Sequence, residues 1–128
     1  MKKNVLLVDD DYIFNFLSQS ILERIGITNE VYTALNGKEA LTLLGSGTQR
    51  RFIPDVILLD LNMPIMDGFT FLEAFNKLNL PDKEKVTIII VTSSEDPDDI
   101  MKARRMGIDH YIPKPVTEKD LRNALEMN

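Results

Sequence analysis

The stretch "VLLVDDDYIF", residues 5–14, runs four apolar residues directly into three consecutive carboxylates, Asp9, Asp10 and Asp11. The apolar run is short and Val-rich, as a buried strand is. Beyond the acids, Ile13, Phe14, Leu17, Ile21, Leu22 and Ile25 recur at helical spacing, and Gly26 is placed to stop the helix. A strand that ends in acids and hands over to a helix is one unit of an α/β fold, and the same order repeats down the chain. The strand candidates are "NVLLV" (4–8), "EVYTA" (30–34), "DVILLD" (55–60), "VTIIIVT" (86–92) and "HYIP" (110–113). The third and fourth are apolar enough to be buried on both faces. Between them, Asn36 caps a helix through Leu44 that "GSG" ends, and a third helix carries Phe69, Leu72, Phe75 and Leu78 with Pro81 at its exit. Asp96 before Pro97 opens a helix that Gly107 closes. Thr117 with Asp120 forms a capping box, Asp replacing the usual Glu or Gln, ahead of Leu121, Ala124 and Leu125. Strands joined by crossover helices predict a parallel sheet.

With 128 residues, 44% of them hydrophobic, the chain suffices for a single domain, 1–128, whose core needs no staples. The absence of Cys excludes a disulfide framework and a thiolate metal site. A net charge of −5 argues against direct binding of nucleic acid, whose affinity comes mainly from Lys and Arg neutralising phosphates. The start "MKKNVLLV" has the lysines of a signal peptide, but its apolar run ends in acids after Val8, and nothing else reaches the length of a membrane span. A cytoplasmic location is the expectation. The stretch "GSGTQRRFIPD" (45–55) offers little to pack and reads as a variable connector.

In an open parallel sheet, ligands gather at the carboxyl ends of the strands. Asp9, Asp10 and Asp11 end the first strand candidate, Asp60 the third, Thr92 and Ser93 the fourth, and Lys114 follows the fifth. If strands one and three are neighbours, these groups meet on one edge. Carboxylates crowded there raise each other's proton affinity unless a cation intervenes. Mg²⁺ suits the role, because it takes oxygen ligands, keeps several waters and commonly joins one or two carboxylates to a phosphate. Taken singly, each residue has a plainer reading. Acids at a helix start favour the helix dipole, an Asp after a strand is a cap, a Thr ending a buried strand is packing, and Lys-Pro is a turn. Their conjunction is the signal.

Four motifs carry that conjunction: "LLVDDD" (6–11), "ILLDLNMPIMDG" (57–68), "IIVTSS" (89–94) and "YIPKPVT" (111–117). In this order the chain resembles, over essentially its whole length, the receiver domain of two-component response regulators. The resemblance implies a flavodoxin-like, doubly wound five-stranded parallel sheet of order 2-1-3-4-5 with helices on both faces. It implies that Asp60 accepts a phosphoryl group, and that Asp9 and Asp10 hold Mg²⁺ together with Asp60 and the main-chain carbonyl of Asn62. Thr92 would hydrogen-bond the phosphoryl group, Lys114 would pair with it, and Thr92 and Tyr111 would form the switch. It also implies a cis Lys114–Pro115 bond. The implied donor is a phosphohistidine on a sensor histidine kinase or a histidine phosphotransfer protein, and the implied output is a changed protein-binding surface. Such a domain is no turnover enzyme, although it assists its own phosphorylation and dephosphorylation. Asp11 is better suited to capping the first helix than to binding metal, and Asp67 is placed to cap the third, where Pro64 and Gly68 shape the turn. Met63 and Met66 read as filler of core or interface, and Ser94 stands where side chains influence attack by water on an acyl phosphate.

Four other readings compete. A hydrolase of the haloacid dehalogenase kind needs a second Asp two residues after its nucleophile, where Asn62 stands. A flavin module wants a hydroxyl-rich anion-binding loop after its first strand, where three acids would repel a flavin phosphate. A degenerate receiver serving only as a scaffold is at odds with the intact set of Asp10, Asp60, Thr92 and Lys114. A phosphohistidine relay protein has one candidate, His110, which reads better as a partly exposed structural residue of a strand.

Overall fold

The computed structural model describes residues 2–45 and 53–126. Five parallel strands, β1 (Lys3–Val8), β2 (Thr28–Ala34), β3 (Val56–Leu59), β4 (Thr87–Thr92) and β5 (His110–Pro113), alternate with α1 (Tyr12–Ile25), α2 (Gly37–Leu43), α3 (Gly68–Lys77), α4 (Pro97–Arg105) and α5 (Glu118–Glu126). They lie in the order β2-β1-β3-β4-β5, so the chain reverses its direction of travel between β1 and β3. This is the expected fold class.

Alternation along the strands divides the core. Val5 and Leu7 of β1, Val56 and Leu58 of β3, and Ile89 and Val91 of β4 pack with Leu22 of α1 and Leu121, Ala124 and Leu125 of α5. Leu6 and Val8, Ile57 and Leu59, and Ile90 face the other way, onto Ala40 and Leu44, Phe71, Leu72 and Phe75 of α3, and Ala103 of α4. β3 is buried at every position, so it is covered on both faces. A one-residue slip of register would exchange the two sets.

The expected caps form. Asp11 accepts from the amides of Ile13 and Phe14, Asn36 from Glu39, Asp67 from Thr70 and Asp96 from Asp98. Gly26 takes φ 78° and donates to the Leu22 carbonyl; Gly107 takes φ 90° after α4. Thr117 and Asp120 bond reciprocally, Thr117 N to Asp120 Oδ2 at 2.9 Å and Asp120 N to Thr117 Oγ1 at 3.1 Å.

Three expectations are corrected. Ile13 and Leu17 belong to no buried face: they are 57% and 55% exposed, while Asn15 and Ser18 of the same helix are buried. α3 stops at Lys77 with Leu78 already extended, well before Pro81; Phe69 packs on the core as expected, and Phe71, which the periodicity did not pick out, is buried more deeply. β2 starts two residues before "EVYTA", and β3 is shorter than "DVILLD" at both ends, with Asp60 just beyond it. The connector reading of 45–55 falls largely outside the described residues.

Candidate functional site

The register of the sheet assembles the site. Val8 lies opposite both Ala34 and Leu59, and Thr92 lies opposite Pro113, so neighbouring strands end nearly level. Each of three residues just past a strand end continues the ladder through its amide: Asp9 N donates to Ala34 O, Asp60 N to Val8 O, and Lys114 N to Thr92 O. Backbone hydrogen bonds thereby fix where the three side chains start. The Lys114–Pro115 bond is cis.

Carboxylate oxygens of Asp9, Asp10 and Asp60 lie within 4.8 Å of one another. Asp9 and Asp60 are buried and Asp10 is exposed. Lys114 Nζ sits 2.6 Å from Asp9 Oδ2, 3.6 Å from Asp60 Oδ2 and 4.4 Å from the centroid of the Phe14 ring. Burial pushes the Asp9 carboxyl above the ordinary aspartate value, and the charge of Asp60 adds to the rise, against the lowering effects of Lys114 and the Asp11 amide. For Lys114, burial works to lower the pKa, but its bond to Asp9 and the charge of Asp60 outweigh it and leave the ammonium above the ordinary value. One ammonium thus lies against two of the three clustered carboxylates. Asp9 Oδ2 is enclosed, with Lys114 as charge partner but no well-aligned hydrogen bond. A cluster of hard oxygen donors carrying surplus negative charge, one of them short of a hydrogen-bond partner, fits a small divalent cation such as Mg²⁺.

Around this cluster, Asn62 is exposed and its amide points to Asp60 Oδ1 at 3.4 Å. Thr92 is wholly buried, and its Oγ1 accepts the Ser94 amide at 3.3 Å. Tyr111 is half-buried and donates its hydroxyl to the Ser94 carbonyl at 2.7 Å. Gly68 opens α3 against the backbone of Asp60: its amide donates to Leu61 O, and a Cβ there would lie 2.5 Å from Asp60 O. His110 is exposed on edge strand β5, away from the acidic cluster.

Two participants have no signature in the sequence. Asn15, on α1, is buried and donates its Nδ2 to the main-chain carbonyl of Asp9 at 2.9 Å, pinning the acidic turn from beneath. Asp99, on the first turn of α4, accepts the Ser94 hydroxyl at 2.6 Å. Each is one polar residue among many on a helix, and only the folded contact singles it out.

A doubly wound sheet with an acidic cluster and a lysine at its switch point defines a class. The family model described as the response regulator receiver domain matches residues 5–126, and the chain belongs to that family, whose members are phosphorylation-switched signalling domains of two-component systems. The chain is 33% identical over 125 residues to the Regulator of RpoS of Escherichia coli (strain K12), covering 98% of this chain and 33% of that protein, so it spans about a third of that relative's length. It is 29% identical over 126 residues to Sporulation initiation phosphotransferase F of Bacillus subtilis (strain 168), covering 98% of this chain and 93% of that one. A two-component response regulator from Cytophaga hutchinsonii superposes with a TM-score of 0.83 at 32% identity, over 97% of this chain and 95% of the other. Membership of the family disposes of the hydrolase and flavin readings. Among the described residues, no helix is long and apolar enough to cross a membrane.

Proposed function

We propose that Asp60 is the phosphoacceptor of this receiver and that the donor is a phosphohistidine on a sensor histidine kinase or a histidine phosphotransfer protein. The observation that carries this reading is the convergence of Asp9, Asp10 and Asp60, with the Lys114 ammonium against Asp9 and Asp60. A carboxylate oxygen of Asp60 attacks phosphorus, the P–N bond breaks, and its electron pair returns to the imidazole nitrogen, which takes up a proton. Phosphoryl transfer asks the protein mainly for alignment and charge stabilisation. Lys114 supplies a fixed positive charge 3.6 Å from Asp60 Oδ2, and the Phe14 ring shields it on one side. Asp9, Asp10, Asp60 and the Asn62 carbonyl would hold Mg²⁺, which when bound neutralises charge on the phosphoryl oxygens. Hydrolysis of the acyl phosphate would draw on the same groups.

The donor has a surface to meet. Tyr12, Ile13, Phe16 and Leu17 are 71%, 57%, 66% and 55% exposed on the first turns of α1, directly after the acidic turn. Ile65, in the β3–α3 loop that follows Asp60, is 80% exposed. An apolar helical surface carrying the phosphohistidine would cover these residues while presenting phosphorus to Asp60. The names of two relatives, a sporulation phosphotransferase and a sensor histidine kinase of Helicobacter pylori, support a phosphorelay setting, and a cytoplasmic location suits such a donor.

Incubation with acetyl phosphate and Mg²⁺ tests the assignment. Wild type should gain an alkali-labile, hydroxylamine-sensitive phosphate and Asp60→Asn none; an acid-labile, alkali-stable adduct would instead point to His110. In the switch, Thr92 is the residue that reads the phosphoryl group and Tyr111 the one that follows. Thr92→Ala should still be phosphorylated but lose most of its conformational response to phosphorylation, and an undiminished response would remove Thr92 from the switch.

A further inference from the structure

The β4–α4 turn carries a hydrogen-bond chain that the acceptor chemistry leaves unused. Ser94 is its centre. Its amide donates to Thr92 Oγ1 at 3.3 Å, its hydroxyl donates to Asp99 Oδ2 at 2.6 Å, and its carbonyl accepts the Tyr111 hydroxyl at 2.7 Å. The Asp96 amide also reaches Ser94 Oγ, at 3.4 Å. One residue therefore ties the buried threonine beside the site to the first turn of α4 and to the aromatic ring of β5.

Asp99 has a plainer reading, as an acid favouring the positive end of α4. That work is already done by Asp96, which caps the helix through the Asp98 amide at 3.0 Å, and by Asp98, an exposed acid in the same turn. Asp99 differs in being half-buried and in reaching back to Ser94. A distance of 2.6 Å lies in the range of a hydroxyl bound to an ionised carboxylate, about twice as strong as a neutral hydrogen bond. Tyr111 senses the same group: its phenol is held above the ordinary tyrosine value by burial first and by the charge of Asp99 next.

We propose that Asp99 is a positioning residue of the switch, holding Ser94 so that a movement of Thr92 toward a phosphoryl group on Asp60 is passed to α4 and to Tyr111. The inference rests on the reading of Asp60 as acceptor and Thr92 as reader. When the Thr92 hydroxyl turns to the phosphoryl oxygens, the Ser94 amide loses its acceptor. Ser94 is held at amide, hydroxyl and carbonyl together, so it moves as a unit, and the Asp99 and Tyr111 bonds must follow or break. Without Asp99 the turn has slack, and the same displacement at Thr92 ends there.

The test uses the full chain, with beryllofluoride and Mg²⁺ as the phosphoryl mimic, read by NMR at the Tyr111 ring and at amides near Asp60 and in the first turn of α4. Asp99→Ala and Ser94→Ala should keep the saturable response near Asp60, while the population shift seen at Tyr111 and α4 falls by about fivefold or more. Asp99→Asn, which keeps an acceptor oxygen, should restore most of it. The double variant should be no worse than either single one, because both cut the same link. The Tyr111 phenol should titrate lower in Asp99→Ala. An undiminished Tyr111 response in Asp99→Ala, or losses that add in the double variant, would overturn the coupling alone. Silence near Asp60 in the wild type would sink the acceptor reading, and the coupling with it.

Discussion

Ile65 is a β-branched residue held at φ 69°, in a three-residue turn in which the Met66 amide donates to the Pro64 carbonyl at 2.7 Å. Such a turn is strained, and β-branched residues are the least suited to it. Strain of about 1–3 kcal/mol outweighs the extra unfolded-chain entropy of glycine, about 0.5–1 kcal/mol. Ile65→Gly should therefore raise stability by about 1 kcal/mol in chemical denaturation. Gly68 is the opposite case. A Cβ there would meet Asp60 O at 2.5 Å and Leu61 Cα at 2.8 Å, both backbone, which cannot swing aside. Gly68→Ala should cost about 3 kcal/mol and displace the main chain of Asp60, read as a lowered melting temperature together with slower phosphorylation by acetyl phosphate. Asn15→Ala would leave the buried Asp9 carbonyl without its side-chain donor, at a cost of about 1–3 kcal/mol.

Between elements, side chains carry ties that the backbone does not. Lys83 Nζ donates to the carbonyls of Asn76 at 2.7 Å and Leu78 at 2.9 Å, and reaches that of Phe75 at 3.4 Å, so a residue from the following 3-10 turn (Lys83–Lys85) closes the carboxyl end of α3. A cation at that end also suits the helix dipole, and Lys83→Met should cost about 1–2 kcal/mol. Arg24 of α1 bonds Glu118 of α5 at 2.9 Å on the far face of the sheet. The Arg24 bond, and after it Arg122, holds the Glu118 carboxyl below the ordinary glutamate value. A depressed carboxyl contributes stability above its unfolded pKa and loses it as pH falls through the folded one. The difference in melting temperature between wild type and Glu118→Gln should thus be present at neutral pH and vanish on acidification below the ordinary glutamate range. Both residues are well exposed, so the difference should be small and shrink further in high salt.

At the scale of the whole molecule, the sheet gathers like charges where one ammonium cannot balance them. A cation bound only by the folded chain stabilises it by mass action, about 2.7 kcal/mol at a hundredfold excess over its dissociation constant. Mg²⁺ should therefore raise the melting temperature of wild type. Asp10→Asn should be at least as stable as wild type without divalent cations, because it relieves repulsion, and should gain little from Mg²⁺, so that the order of the two proteins reverses on adding the metal. A wild type indifferent to Mg²⁺ would argue against the metal assignment.

The alternation of strands and helices and the ends of most helices were set by local chemistry, and so were legible in the sequence: Asp11, Asn36, Asp67, Asp96 and the Thr117–Asp120 pair all cap through bonds that span two or three residues. Asp60 and Lys114 stood out because acid and lysine followed apolar runs. Periodicity announced an apolar face on α1 but drew it too wide, since apolar residues occur on both sides; packing on the sheet chose Phe14, Ile21, Leu22 and Ile25, and admitted Asn15, whose Nδ2 donates to the Asp9 carbonyl. Strand order and the closeness of Asp9 and Asp10 to Asp60 were decided only by tertiary structure. These features depend on which segments pair across tens of residues, and no hydrogen bond within a single turn encodes that choice.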